Sequence, residues 1–234
     1  MECAAAHLDL FATKGLEYLF VLGFLGALVV FWRVLNRPAR PVREAGGRPG
    51  RVSDVGDWFR LADGTFYHQG HTWAVPEGGD VVRVGLDDFA QKLIGRPATL
   101  DLPDVGDRVE QGHVGLSIGD PGKRVGVLSP VNGTVLAVND AARRSPELVN
   151  EDPYGEGWLF KVRVPRLTVN LRNLLTGSVA RAWMEETEEV LRDRMGRELG
   201  PAYQDGGTVL PGIARNLAPD RWDEIVAEFF LTDE

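Results

Sequence analysis

The stretch from Ser129 to Lys161, SPVNGTVLAVNDAARRSPELVNEDPYGEGWLFK, decides the fold. It holds a β-type run at Thr134–Val138 and ends on the start of a second one at Trp158–Val162. Asn132-Gly133, just before the first run, is a dipeptide suited to the positive φ values of a tight hairpin turn. The stretch therefore predicts two sheet strands, with a turn before them and a longer connection between them.

The β pattern continues on the N-terminal side of this stretch. Short runs broken by Gly, Pro and Asp occur at Val81–Val84, Ala98–Leu102 and Val125–Leu128. Helical spacing over Asp87–Ile94, with Gly95 as a stop, predicts one helical interruption. We therefore expect a mainly β domain of the α+β class over residues 57–165.

Helices are expected after this domain. Residues 166–200 show apolar residues at helical spacing and should form the helical C-terminal part of the domain. Residues 201–234 should form a loop and a short amphipathic helix that Asp220 caps. Trp222, Ile225, Val226 and Phe229 make its apolar face. We expect that face to pack back on the domain, with docking to another protein as the alternative.

A different element opens the chain. Leu16–Leu35, LEYLFVLGFLGALVVFWRVL, is apolar over the length that a helix needs to cross a bilayer, and it predicts a single-pass transmembrane helix. Residues 1–15 would form a short extracytoplasmic N-terminus, and the Pro-, Gly- and Arg-rich residues 36–56 a tether. Arginines crowd the flank after the helix, so the positive-inside rule predicts an inner (cytoplasmic) membrane protein whose C-terminal domain is cytoplasmic.

Composition excludes several classes of function. The single cysteine, Cys3, excludes an internal disulfide framework. Residues 52–234 contain 19 basic and 30 acidic residues, a net charge of −11, which argues against a nucleic-acid partner. No nucleophile–base pair, phosphate-binding loop or metal cluster is evident, so we expect a protein that is not an enzyme.

Four segments in order carry a family resemblance: His71–Trp73, Arg83–Gly95, Leu102–Val109 and Pro146–Lys161. Together they resemble the glycine cleavage system H protein, a small lipoyl carrier. The resemblance implies the lipoyl/biotinyl-like barrel-sandwich hybrid (hammerhead) fold for the β domain. It also implies a lipoyl arm, joined by an amide to a lysine on a hairpin turn.

The turn that should bear this lysine departs from the family pattern. The family's Glu-Ser-Val-Lys aligns with Gly119, Asp120, Pro121 and Gly122, so the lysine position falls on Gly122, which cannot be modified. Lys123 follows one residue later. Pro121-Gly122 is a turn signal between two apolar runs and predicts a hairpin tip.

Three hypotheses of function follow. The leading one is a membrane-anchored, non-enzymatic interaction or scaffold module that carries no cofactor and binds protein partners at the membrane. The alternative is a lipoyl carrier that uses Lys123 to shuttle an aminomethyl group between glycine decarboxylase and an aminomethyltransferase-type enzyme. The third is an adaptor of the membrane-fusion type, although such proteins carry a long helical hairpin inserted in the lipoyl-like domain.

The remaining notable side chains have simpler interpretations. His68 and His71 could reach one metal, but no Cys or carboxylate cluster supports such a site, so we predict no metal. Trp73, Trp158 and Phe160 should be core residues. The acidic run Glu185–Glu189 should be a solvated helix face.

Overall fold

The computed structural model describes residues 6–35, 50–199 and 210–232. The chain divides into two compact units, Met1–Val42 and Arg43–Glu234. Helix α1 (Ala6–Leu35) belongs to the first unit and includes the predicted helix at Leu16–Leu35. Within the three described ranges, no helix combines the length and the apolar character needed to cross a membrane. Most of the predicted tether (36–49) and of the predicted loop (201–209) lies outside the described residues.

The described part of the second unit is rich in short strands, as the sequence predicts. They are β1 (Val52–Val55), β2 (Phe59–Ala62), β3 (Phe66–Tyr67), β4 (Thr72–Gly78), β5 (Val81–Leu86), β6 (Thr99–Asp101), β7 (Arg108–Val109), β8 (Val114–Asp120), β9 (Lys123–Leu128), β10 (Gly133–Val138) and β11 (Phe160–Arg163). The largest sheet has the order β3-β4-β5-β11-β10-β7, a second sheet has the order β6-β8-β9, and β1 pairs with β2.

The stretch Ser129–Lys161 supplies the centre of the largest sheet. Strand β10 pairs antiparallel with β11, and a bulge shifts the register between Val135 and Ala137. On its other edge β11 pairs with β5, where Phe160 lies opposite Val84. Phe160 and Val162 point into the core and are fully buried. The predicted pair of strands is confirmed, and it holds together segments far apart in sequence.

Helices lie between and after the strands. They are α2 (Asp88–Ile94), α3 (Asp140–Arg144), α4 (Leu148–Glu151), α5 (Leu167–Arg172), α6 (Gly177–Leu199), α7 (Ile213–Leu217) and α8 (Trp222–Phe230). Helix α2 begins where predicted, because the Asp87 carboxylate accepts a hydrogen bond from the Ala90 amide at 2.8 Å. It ends at Gly95, whose positive φ of 76° is a backbone conformation that glycine adopts without steric cost.

Aromatic side chains fill the core between the sheets and helices. Trp73 is fully buried, and its indole N–H donates to the carbonyls of Leu86 at 2.8 Å and Pro153 at 3.0 Å. Phe160 is equally buried, whereas Trp158 is half-buried against the core. The two carbonyls satisfy the polar end of Trp73, which allows a large ring to sit in an apolar interior.

Three sequence expectations need correction. Val52–Val55, assigned to the tether, forms β1, because Gly56-Asp57 allows the chain to turn back and pair Val55 with Phe59. Glu188 is not solvated but buried, because its carboxylate accepts bonds from the Asp57 and Trp58 amides. Asp220 does not cap the last helix. Arg221 occupies the N-cap position of α8.

Helix α8 packs back on the domain, as its apolar face predicts. It contacts strand β9 and helix α7. Trp222, Ile225, Val226 and Phe230 are buried in this contact, and Phe229 is partly buried. Burial of a side chain of this size contributes about 1.5–3 kcal/mol to folding.

Candidate functional site

The predicted hairpin tip is present between β8 and β9. Asp120 ends β8 and lies opposite Lys123, which begins β9, so Pro121 and Gly122 form a two-residue turn. Gly122 has a φ of 91°, in the left-handed region that favours glycine. Because two residues join the strands directly, this turn has no room for the inserted helical hairpin of an adaptor protein.

At Gly119, three residues before the turn glycine, the backbone geometry requires a glycine. Its φ is 156°, and a Cβ added there would lie 2.2 Å from the Lys123 carbonyl oxygen. Its own carbonyl accepts hydrogen bonds from the Ala98 amide at 3.0 Å and the Thr99 hydroxyl at 3.1 Å. A glutamate at this position would therefore clash with the partner strand.

Lys123 carries the amine nearest to the turn. Its Nζ donates a hydrogen bond to Asp223 Oδ1 at 2.8 Å, and a second one to the Asp220 carbonyl oxygen. The side chain is 38% exposed. The amine is thus accessible in part but held by two acceptors at the start of α8.

The acidic residue on the other side of the turn is paired as well. Asp120 forms an ion pair with Arg215 of α7 and accepts a bond from the Ala98 amide at 3.3 Å. The hydrogen bond from Arg215 lowers the pKa of the Asp120 carboxyl, and the bond from Lys123 lowers the pKa of Asp223 in the same way. Both carboxylates are therefore ionised at neutral pH, and both ends of the turn are tied to the C-terminal helices.

Sequence reasoning did not identify Arg215 and Asp223. Lys123 and Asp223 are 100 residues apart, and nothing in the local sequence of α8 indicates a lysine partner. The amphipathic pattern of α8 does predict that the helix docks, but an amphipathic face says nothing about where it docks.

His68 and His71, for which the sequence predicts no metal, make structural contacts. His71 Nδ1 lies 2.9 Å from Asp87 Oδ2, and its ring stacks between Phe89 and Trp183 at centroid distances of 4.1 and 4.8 Å. His68 Nδ1 accepts a bond from the Gly70 amide at 3.0 Å. In the described ranges, no group of three or more His, Cys, Asp or Glu side chains is placed to hold a metal ion.

Comparison with known proteins identifies the β domain. The family model for the glycine cleavage H-protein matches residues 65–187, more than half of the chain. The chain belongs to the glycine cleavage H-protein family. A glycine cleavage system H protein of Thermus thermophilus is 43% identical over 110 residues, which cover 47% of this chain and 84% of that protein. The H protein of Mycolicibacterium smegmatis is 40% identical over 123 residues, 52% of this chain and 94% of that protein.

A solved H protein also matches. The crystal structure of a glycine cleavage system H protein from Mycobacterium marinum has 27% sequence identity and a TM-score of 0.45, covering 53% of this chain and 96% of that chain. The H-protein match ends at residue 187, before α7 and α8. Arg215, Asp220 and Asp223, which contact Asp120 and Lys123, therefore lie outside the matched segment.

Proposed function

We propose that this chain is a lipoyl carrier of the H-protein type and that Lys123 bears the lipoyl group. The observation that carries the proposal is the position of Lys123 directly after the two-residue turn of the β8–β9 hairpin. The other lysines of the matched segment have structural positions. Lys92 donates to the Trp58 carbonyl at 2.6 Å, and Lys161 pairs with Glu77 at 2.7 Å.

The names of the relatives support this carrier hypothesis over the interaction-module hypothesis. Both relatives described above are named as glycine cleavage system H proteins. An H-protein role implies a carrier and not a catalyst, with glycine decarboxylase and an aminomethyltransferase-type enzyme as partners. It fits a domain in which charged side chains at the candidate site pair with one another instead of facing a cleft.

The chemistry of Lys123 suits an amide linkage, with one condition. Conversion of the ammonium to an amide removes its positive charge and leaves one N–H donor, so the ion pair with Asp223 would be lost. The group therefore fits on Lys123 when α8 releases the amine. When bound, a lipoyl group supplies a disulfide at the end of a long flexible arm, and the paired strands β8 and β9 would fix the root of that arm.

One observation favours a second candidate, an unmodified interaction module. The nearest amine already has two hydrogen-bond acceptors, and the sequence resemblance places the family's lysine position on Gly122. A ligase that reads the position of the lysine on a hairpin would reject this turn. The domain would then bind proteins through its surface with no prosthetic group.

The mass of the native protein separates the two candidates. In the carrier hypothesis, protein purified from its own host carries the added mass of one lipoyl amide, and peptide mapping places it on Lys123. Lys123→Arg abolishes the modification, while the control Lys161→Arg retains it. An unmodified mass, from cells in which other proteins are lipoylated, would overturn the carrier proposal and leave the interaction module.

We also propose that the first unit anchors the protein in the inner membrane with the H-protein domain in the cytoplasm. The support is the sequence of Leu16–Leu35 and the arginines that follow it. After cell lysis, the full chain should sediment with membranes and resist extraction at high salt, whereas residues 43–234 should not. Protease added to spheroplasts should leave the domain intact. Full chain in the supernatant, with residues 1–42 present, would contradict the anchor.

A further inference from the structure

The C-terminal extension, residues 210–232, docks on the β8–β9 hairpin. Helix α8 lies along β9 and buries Trp222, Ile225 and Val226. At the far end, the Thr232 hydroxyl donates to the Gly126 carbonyl of β9 at 3.3 Å. At the near end, the Gly212 amide donates to the Lys92 carbonyl of α2 at 2.8 Å. The extension is therefore attached near both ends and through helix α8.

The charges of the extension complement those of the turn. Arg215 pairs with Asp120, and Asp223 pairs with Lys123. Arg215 is itself held in place, because its Nε donates to the Ile94 carbonyl at 3.1 Å and its guanidinium lies 4.3 Å from the centre of the Trp222 ring. A basic group of the extension thus meets the acidic end of the turn, and an acidic group meets the basic end.

This arrangement occupies the amine of Lys123. A lysine acts as a nucleophile through its unprotonated nitrogen: the lone pair attacks the acyl carbon of an activated donor, the bond to the donor's leaving group breaks, and the nitrogen loses a proton as the amide forms. Here the Lys123 nitrogen donates to the Asp223 carboxylate and to the Asp220 carbonyl, so the two acceptors at the start of α8 lie directly against it. An acyl donor therefore has free access to this nitrogen only when α8 moves away from the turn.

We propose that the C-terminal extension is an autoinhibitory latch that controls acylation of Lys123. In the docked state it holds the amine and covers one side of the turn. In the released state the amine is free for modification and the turn is open to partners. The biological use of the latch rests on the proposed carrier function, but its effect on the reactivity of Lys123 does not.

Chemical acetylation of the full chain tests the latch directly. The protein is treated with the N-hydroxysuccinimide ester of acetic acid, and the acetylation rate of each lysine is followed by peptide mass spectrometry. Asp223→Ala should raise the rate at Lys123 roughly two- to five-fold, the effect expected for loss of a partly exposed ion pair. The rate at Lys161 should not change, because its partner Glu77 is untouched.

Glu224→Ala is the matched control. Glu224 is the next residue of α8 and pairs with Arg221, not with the turn. Ile225→Asp provides a stronger release, because it places a charge in the buried face of α8. Its thermal melt shows whether the rest of the domain stays folded. Equal rates at Lys123 in wild type and Asp223→Ala, or equal increases in Asp223→Ala and Glu224→Ala, would overturn the latch.

A second assay separates failure of the latch from failure of the carrier. Wild type and Asp223→Ala are incubated with a lipoate–protein ligase, lipoate and ATP, and the mass is measured. Faster lipoylation of Asp223→Ala supports both proposals. If chemical acetylation increases in Asp223→Ala while the ligase modifies neither protein, the latch stands and Lys123 is not a carrier lysine.

Discussion

At the scale of single residues, the turn between β8 and β9 separates two properties that a carrier lysine needs together. Gly122 has the open position, because a Cβ added there meets no described atom within 4 Å. Lys123 has the amine, but that amine is bound by Asp223 and Asp220. The open position at the turn and the amine thus belong to two neighbouring residues, Gly122 and Lys123.

Gly122→Lys should place an amine at the open position of the turn. A lysine at a φ of 91° is strained by about 1–3 kcal/mol, and its Cβ meets no described atom within 4 Å. We expect a lipoate–protein ligase to modify Gly122→Lys faster than wild type, as measured by intact mass. Gly106→Lys is the control, since Gly106 also has a positive φ (100°) and open space around it. Equal modification of both variants would show that the ligase responds to exposure and not to the hairpin.

Gly85 shows a steric requirement of the opposite kind. A Cβ at Gly85 would lie 2.4 Å from the ring of Trp73 on the neighbouring strand, in a fully buried place. Gly85→Ala should lower the free energy of unfolding by about 1–3 kcal/mol in urea titration. Gly196→Ala, on the exposed side of α6, should raise it by about 0.5–1 kcal/mol. A neutral Gly85→Ala would mean that the Trp73 ring can move.

At the scale of elements, the buried carboxylate of Glu188 helps to join helix α6 to the β1–β2 hairpin. Glu188 accepts bonds from the Asp57 and Trp58 amides, each at 3.3 Å, and from Arg192 at 2.6 Å. Its side chain is 5% exposed. Glu188 therefore satisfies backbone groups of another element, a role that a residue in an acidic helical run does not reveal.

Glu188→Ala should leave those two amides without their acceptor, while Arg192 keeps the Asp57 carboxylate. We expect the free energy of unfolding to fall by about 1–3 kcal/mol, because unsatisfied donors at a buried site retain their desolvation cost. Glu189→Ala, one residue further and exposed, should change it by less than about 0.5 kcal/mol. Chemical denaturation of both variants measures the difference, and similar losses would contradict the assigned role of Glu188.

The turn between β3 and β4 should be sensitive to acid through His68. Burial lowers the pKa of His68 below its ordinary value of 6.5, and the charge of His71 lowers it further. The neutral His68 ring accepts a hydrogen bond from the Gly70 amide. The contribution of this neutral ring to stability is therefore complete above pH 6.5, and it is lost as the pH falls through the lower pKa of the folded state.

His68→Asn keeps an acceptor for the Gly70 amide but does not titrate. Its melting temperature should therefore fall less than that of wild type between about pH 7.5 and 5. His113→Asn replaces an exposed histidine and should retain the wild-type pH dependence. Calorimetry at several pH values makes the comparison, and equal curves for wild type and His68→Asn would refute the assignment.

Sequence patterns predicted the elements better than the contacts between them. Helix α2 was predictable because Asp87 and Gly95 act within their own segment, as a cap and a stop. The burial of Glu188 was not, because it depends on amides about 130 residues away. The pairing of Lys123 with Asp223 was missed for the same reason. The fold was predictable from the family resemblance, whereas the contacts made by residues outside the matched segment were not.

At the scale of the whole molecule, the described core belongs to one of the two units. The buried hydrophobic residues run from Val55 to Phe230, all within Arg43–Glu234. A protein made of residues 43–234 should therefore fold alone. We expect it to show near-UV circular dichroism and a single cooperative transition in urea. A spectrum without near-UV signal would show that the first unit is needed for folding.

The ribosome synthesises the β8–β9 hairpin before it synthesises the extension that docks on it. Asp223 follows Lys123 by 100 residues, and at about 5–20 residues per second the ribosome needs roughly 5–20 s to add them. During that interval the hairpin strands, which are close in sequence, can already pair, while the residues that restrain the amine do not yet exist. Each newly made chain thus passes once through a period in which Lys123 has been synthesised but Asp220 and Asp223, its hydrogen-bond acceptors, have not.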